Sequence, residues 1–208
     1  DVQDDIARVK QMMKRSIQLT NFFVFPFLVL LLASAKPFVI LLLTEKWIDA
    51  VPFVQIFCVA YVMMPIQNSN MSAIKALGFS GITLRLETLK KVLEAFILVV
   101  SFMISVYAVA WGIVLYNFLC IFINLHPCKK ILNYGIMEQI KDTLPTAAIT
   151  TIMGVIVYMF TMINISAVVL LLIQIIIGTI VYISLNVYFK TEGYLYLKGI
   201  ILKKLRSE

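Results

Sequence analysis

The placement of positive charge along this chain leaves few folds open to it. Six long apolar stretches, roughly 22–43, 51–74, 92–108, 109–125, 144–163 and 165–189, separate seven connections. Sixteen of the eighteen Lys and Arg residues fall in alternate connections. The leading segment holds Arg8, Lys10, Lys14 and Arg15, and the connection after the second stretch holds Lys75, Arg85, Lys90 and Lys91. Lys129, Lys130 and Lys141 follow the fourth stretch, and Lys190, Lys198, Lys203, Lys204 and Arg206 follow the sixth. The opposite connections hold Lys46 alone, and Lys36 lies inside the first stretch. Cytoplasmic loops of membrane proteins retain Lys and Arg in this way. The expected topology is therefore N-in and C-in, with residues 46–49, 108–110 and 162–166 outside.

Length supports the same reading. Each stretch is near the ~20 residues that a helix, rising ~1.5 Å per residue, needs to cross ~30 Å of hydrocarbon. Hydrophobic residues make up 62% of the chain and charged residues 14%, and six such stretches in 208 residues have no soluble core large enough to bury them. The expected fold is an all-α integral membrane protein, a bundle of six transmembrane helices. The formal net charge of +7 sits in short loops beside the spans, which suits contact with anionic headgroups. No basic stripe with an aromatic stacking platform accompanies it, so nucleic acid is not an expected partner. Trp47, Tyr107 and Trp111 fall at the expected outer interface, and Tyr134, Tyr188, Tyr194 and Tyr196 at the inner one, where amphipathic rings favour the headgroup level. Cys58, Cys120 and Cys128 are too few and too scattered for a disulfide framework.

Three segments follow from the periodicity. In residues 1–20, Ile6, Val9, Met13 and Ile17 recur at helical spacing, with Asp4 and Asp5 at the start, so an amphipathic helix on the inner membrane surface is expected to run into the first span. Residues 21–189 form the bundle. Residues 190–208 form a basic amphipathic tail, with Tyr194, Leu197, Ile201 and Leu205 on one face. Within the bundle, Pro26 and Lys36-Pro37 are expected to kink the first span, and Pro65 to fall inside the second helix. Ala108–Gly112 reads as a tight outer turn, His126-Pro127 with the basic pair Lys129-Lys130 as the close of the fourth helix, and Pro145 as the opening of the fifth.

Such a chain has nowhere to place chemistry except within the bundle. Catalysis is not expected. The single histidine, His126, has Cys128 beside it but no second pair to complete a metal site. No Gly-rich phosphate loop and no long outer loop is present, so neither a cofactor nor a metal is expected. On the second helix, Tyr61, Asn68, Ser72 and Lys75 share one face, widened by Gln67 and Asn70. Polar groups at this depth either face a bundle interior or water-filled cavity, or act as interhelical hydrogen-bonding glue. Arg85, Glu87, Lys90, Lys91 and Glu94 form the densest charged group, read either as a solvated helix end or as a basic mouth for an anionic substrate. Lys36, at mid-span, either lines a cavity or marks a misplaced span boundary.

Several runs together carry a resemblance. They are Phe25-Pro26, Thr44-Glu45-Lys46-Trp47, Val51-Pro52-Phe53-Val54-Gln55-Ile56-Phe57-Cys58, Lys75-Ala76-Leu77-Gly78 and Lys141-Asp142-Thr143-Leu144-Pro145. In order and spacing these resemble the bacterial polysaccharide flippases of the MATE/MurJ-like (MOP) superfamily, over nearly the whole chain. The resemblance implies transport of undecaprenyl-diphosphate-linked oligosaccharides across the bacterial inner membrane for lipopolysaccharide O-antigen, capsule or exopolysaccharide assembly. It also implies that this chain, which begins at Asp1, is the C-terminal six-helix repeat of a longer two-repeat transporter. Its expected partners are then the lipid-linked oligosaccharide, membrane lipids and the missing N-terminal repeat. Candidate substrate-pathway residues are Asn68, Ser72, Lys75, Arg85, Lys90 and Lys91. A cation-coupled drug exporter of the same superfamily would need a buried carboxylate, for which Glu94 is the candidate. A glycosyl-lipid enzyme would need a large outer loop, and an inactive or structural fragment is the remaining alternative.

Overall fold

A computed structural model describes residues 5–163 and 165–207, with side chains through Ile200. Every regular element among them is helical: α1 (Ile6–Ala33), α2 (Ala35–Leu43), α3 (Val51–Tyr61), α4 (Met64–Ala76), α5 (Ser80–Phe102), α6 (Val106–Leu132), α7 (Ile136–Met159), α8 (Ala167–Phe189) and α9 (Glu192–Ser207). Short 3-10 turns at Glu45–Ala50 and Phe160–Met162 link α2 to α3 and follow α7. Five helical stretches among the described residues are long and apolar enough to cross a membrane: Ile6–Ala33, Glu45–Ala76, Val106–Leu132, Ile136–Met162 and Ala167–Phe189. The chain is an all-α, multi-pass membrane protein.

The expected sixth span, 92–108, is not among the five. Residues 92–102 of it belong to α5, whose stretch 85–94 carries Arg85, Glu87, Lys90, Lys91 and Glu94, too many charges for a uniformly apolar crossing helix. The chain turns at 103–105 rather than at Ala108–Gly112. Ser105, in extended conformation, accepts a hydrogen bond from the Ala108 N–H at 3.1 Å and starts α6, as an N-cap does. Gly112 instead lies inside α6, where an added Cβ would come within 2.5 Å of Ser101 Oγ. The glycine serves close helix approach.

The prolines take several places. Pro26 lies inside α1, and the first apolar stretch breaks at Ser34, just ahead of Lys36-Pro37, one of the two places where a kink was expected. Pro65 does not lie inside one continuous second helix: the stretch breaks before it, and it sits in the first turn of α4 where its missing N–H is harmless. Pro127 and Pro145 lie within α6 and α7. The close of α6 carries the basic pair Lys129 and Lys130 in its last turn, and the helix ends at Leu132 on Asn133 at φ 47°, a left-handed conformation that Asn tolerates. The leading helix runs on into the first apolar stretch as one helix, α1, capped at its start by Asp5 Oδ1 accepting the Arg8 N–H at 2.9 Å. Asp4 and Asn164 lie outside the described residues, as do the side chains of Ile201, Lys203, Lys204, Leu205 and Arg206.

The chain divides into two compact units. The first joins the leading part of α1, up to Ile17, with Val59–Asp142. Its apolar core holds Val9, Met13, Ile17, Ile66, Ala73, Ile74, Cys128, Leu132 and Tyr134. The stripe Val9, Met13, Ile17 that reads as a lipid-facing surface is therefore packed against protein. The second unit comprises Gln18–Cys58 and the chain from Thr143 onward, with Ala33, Ile149, Met153, Val157 and Tyr182 at its core. Here Gly154 and Gly178 admit Val29 and Leu30 against α7 and α8, with Cβ positions 2.4 and 3.0 Å from those side chains.

Candidate functional site

Polar residues on α4 sort onto two faces. Gln67, Ser69 and Asn70 are buried, whereas Asn68, Ser72 and Lys75 are exposed. The buried set is glue. Gln67 Nε2 donates to the Asn117 carbonyl at 2.9 Å. Asn70 and Gln139 exchange amide hydrogen bonds, Asn70 Nδ2 to Oε1 at 3.2 Å and Gln139 Nε2 to Oδ1 at 3.0 Å. Such bonds satisfy amides that would be costly to bury unpaired.

The exposed set opens onto cavities. A groove of about 270 Å³ runs between the α3–α4 pair, α5 and α6, lined on its polar side by Tyr61, Gln67, Asn68, Glu94, Tyr116 and Asn117. Its apolar wall is Ile97, Leu98, Val109 and Ile113, and Gly112 lets α5 and α6 close its floor. Glu94 was expected near a helix end, but α5 continues eight residues beyond it to Phe102. The groove thus combines one carboxylate, two phenols and three amides. Since a water occupies ~30 Å³ of liquid, it has room for several waters, a hydrated monovalent cation or one hydroxyl-bearing ring. Carboxylate and amide oxygens can accept from hydroxyls or coordinate a cation, and the amide N–H and phenol O–H groups can donate.

The remaining sequence candidates do not converge on this groove. Ser72 lines a separate cavity of about 210 Å³ with Ser16, Ser69 and Ala76. Lys90 pairs with Glu87 at 3.4 Å and Lys91 with Glu94 at 2.7 Å, the second a surface pair that water largely screens. Lys75 and Arg85 are exposed and make no ion pair with the described residues. Lys36 is exposed one residue into α2 and lines a cleft of about 720 Å³ with Glu45, Thr161 and Ser166, room enough for the water that a charge in an apolar stretch requires. Among the described residues no three His, Cys, Asp or Glu side chains gather as metal ligands.

A second polar cluster was not legible in the sequence. Lys10 Nζ lies 3.0 Å from Glu138 and donates to the Asn133 carbonyl at 2.6 Å. It also stands 5.3 Å above the Tyr134 ring. Lys14 lies 2.9 Å from Asp142 Oδ1, and the Tyr134 hydroxyl donates to Asp142 Oδ2 at 2.6 Å. Two of the lysines read as topological charges are thus committed to carboxylates more than 120 residues away. The only sequence signal was i, i+4 spacing in both members, Lys10/Lys14 and Glu138/Asp142.

One family model, described as polysaccharide biosynthesis protein, matches residues 1–52. That is a quarter of the chain, covering α1, α2 and the 3-10 turn that follows. No curated protein and no solved structure matches the chain.

Proposed function

We propose that this chain belongs to the machinery that moves undecaprenyl-diphosphate-linked oligosaccharides across the bacterial inner membrane, as the C-terminal repeat of a longer flippase with both its ends cytoplasmic. The observation that carries the reading is the match of residues 1–52 to a polysaccharide biosynthesis family in a chain with five helices suited to crossing a membrane. The chain acts on its cargo by moving it, with no covalent step. The cargo diphosphate is drawn to cations, the sugar to hydroxyl-binding amides and phenols, and the lipid tail stays in the bilayer. Lys75 and Arg85 are the cations best placed to meet phosphate, because Lys90 and Lys91 already hold carboxylates. A cation aimed at phosphate in a partly shielded site makes a stronger bond than one in water.

The test uses the complete gene in a strain lacking its own flippase. Lys75→Gln and Arg85→Gln, present in the membrane at normal abundance, are expected to lower surface polysaccharide at least several-fold. Lys90→Gln and Lys91→Gln are expected to lower it less. Normal export from all four variants would remove the phosphate-contact reading. Glu94 in its groove supports a second reading, cation-coupled export of a small molecule. That reading requires Glu94→Gln to abolish ion-driven efflux while surface polysaccharide stays normal.

A further inference from the structure

In the second unit, three of the stretches suited to crossing a membrane end around the open cleft that Lys36 lines. Glu45 opens the stretch Glu45–Ala76, Thr161 lies at the end of Ile136–Met162, and Ser166 immediately precedes Ala167–Phe189. Trp47, in the same 3-10 turn as Glu45, is exposed, as an indole is where hydrocarbon gives way to headgroups. The polar side of the cleft is Lys36, Glu45, Thr161 and Ser166, and Ile40, Ile48, Ile163 and Leu170 form an apolar wall. Lys36 and Glu45 are both exposed, and neither forms an ion pair with a described residue or with the other. The Ser166 hydroxyl makes no cap hydrogen bond to α8. The Thr161 hydroxyl donates to the Tyr158 carbonyl at 2.6 Å, which leaves its oxygen able to accept. Thr44 turns the chain from α2 into the 3-10 segment at φ 75°, a conformation that a β-branched residue seldom takes. Opposite charges thus share one cleft at the membrane boundary without meeting, and a ligand carrying both signs can answer both.

We propose that this cleft binds the headgroup of an ethanolamine phospholipid. The phosphate takes Lys36 and the Ser166 hydroxyl, and the ammonium takes Glu45 and the Thr161 oxygen. The glycerol and the first acyl carbons lie against Ile40, Ile48, Ile163 and Leu170. Basic pockets between membrane helices hold lipid headgroups through the phosphate, and here the carboxylate adds selection. An anionic headgroup without an amine meets Glu45 as a like charge. A choline headgroup carries the positive charge but has no N–H to donate to the carboxylate, so it forgoes the charge-assisted hydrogen bond. This proposal does not rest on the transport reading.

The test is native mass spectrometry of the complete protein in lipid-free micelles, titrated with dioleoyl phosphatidylethanolamine, phosphatidylcholine or phosphatidylglycerol. The parent is expected to bind its first phosphatidylethanolamine about fivefold more tightly than either other lipid, the worth of one partly screened charge-assisted contact. Glu45→Gln should erase that preference and raise the affinity for phosphatidylglycerol. Lys36→Gln should weaken all three lipids. Lys46→Gln, at a neighbouring exposed cation outside the cleft, should leave them as in the parent. Thermal melts before lipid is added check that each variant is folded. Equal affinity of the parent for the three lipids would overturn the proposal, and so would a preference that survives Glu45→Gln. A loss in Lys46→Gln equal to that in Lys36→Gln would overturn it too, because general surface charge would then explain the binding. Displacement of the lipid by water-soluble glycerophosphoethanolamine at the lipid's own concentration would mark a site for a free phosphate ester, against the lipid assignment.

Discussion

The buried amide pair Asn70–Gln139 provides the sharpest energetic test of how the first unit is built. Asn70 is fully buried and Gln139 is 2% exposed, and they share two amide bonds at 3.2 and 3.0 Å. Gln139→Leu leaves both ends of the Asn70 amide without those bonds, and Asn70→Leu does the same to Gln139 apart from its 3.5 Å contact to the Tyr134 carbonyl. An unsatisfied buried amide costs ~1–3 kcal/mol in water-soluble proteins. Interhelical bonds in membranes average nearer ~0.6 kcal/mol and reach ~1.7. Because the pair makes two bonds in a dry site, each single variant should lose about 1–2 kcal/mol. The double variant Asn70→Leu/Gln139→Leu removes both amides and gives up besides only the long contact to the Tyr134 carbonyl, so it should fall within about 1 kcal/mol of the parent. Reversible unfolding in mixed detergent micelles, read by tryptophan fluorescence, measures all four proteins. A double variant destabilised by the full total of the two singles would show that the amides are uncoupled, and the reasoning would fail.

Two further outcomes follow from other parts of the fold. In the second unit, Gly154→Ala puts a Cβ 2.4 Å from Val29 Cγ1, and because Val is stiff at χ1 the overpacking should cost about 1–3 kcal/mol. Val29→Ala should recover most of that in a thermal melt of the double variant, and no recovery would place the strain elsewhere. For orientation, a single cysteine at Glu45 in a background free of other accessible thiols should react with an impermeant maleimide on intact spheroplasts, whereas one at Ser80 should not. Labelling of Ser80 alone would reverse the proposed topology.

The all-helical membrane class was legible because hydropathy acts over whole segments and does not depend on which partner a side chain meets. Local breaks were less legible, because each proline and glycine has more than one structural use. Gly112 suggested a turn, but it serves close packing against Ser101. Pro26 and Lys36-Pro37 both suggested a kink; α1 runs through the first, and the break falls at Ser34, just ahead of the second. On α4 the sequence placed the polar run correctly at one helix but could not separate Asn68, which lines the groove, from Asn70, which is buried glue. The two lie only two residues apart, and which one is covered depends on where α6 and α7 dock. Lys10 and Lys14 were unreadable in the same way. Their count fits a topological rule, but their carboxylates lie far along the chain and are found only once α7 is in place.

Translocation itself can be measured directly. The complete protein is reconstituted into vesicles containing a fluorescent undecaprenyl-diphosphate-linked oligosaccharide, and an impermeant reductant is added outside. The proposed function predicts that label initially protected in the inner leaflet becomes reducible over time, more slowly in Lys75→Gln and Arg85→Gln than in the parent. A protected fraction that persists as in protein-free vesicles, with the parent protein correctly folded and inserted, would contradict it.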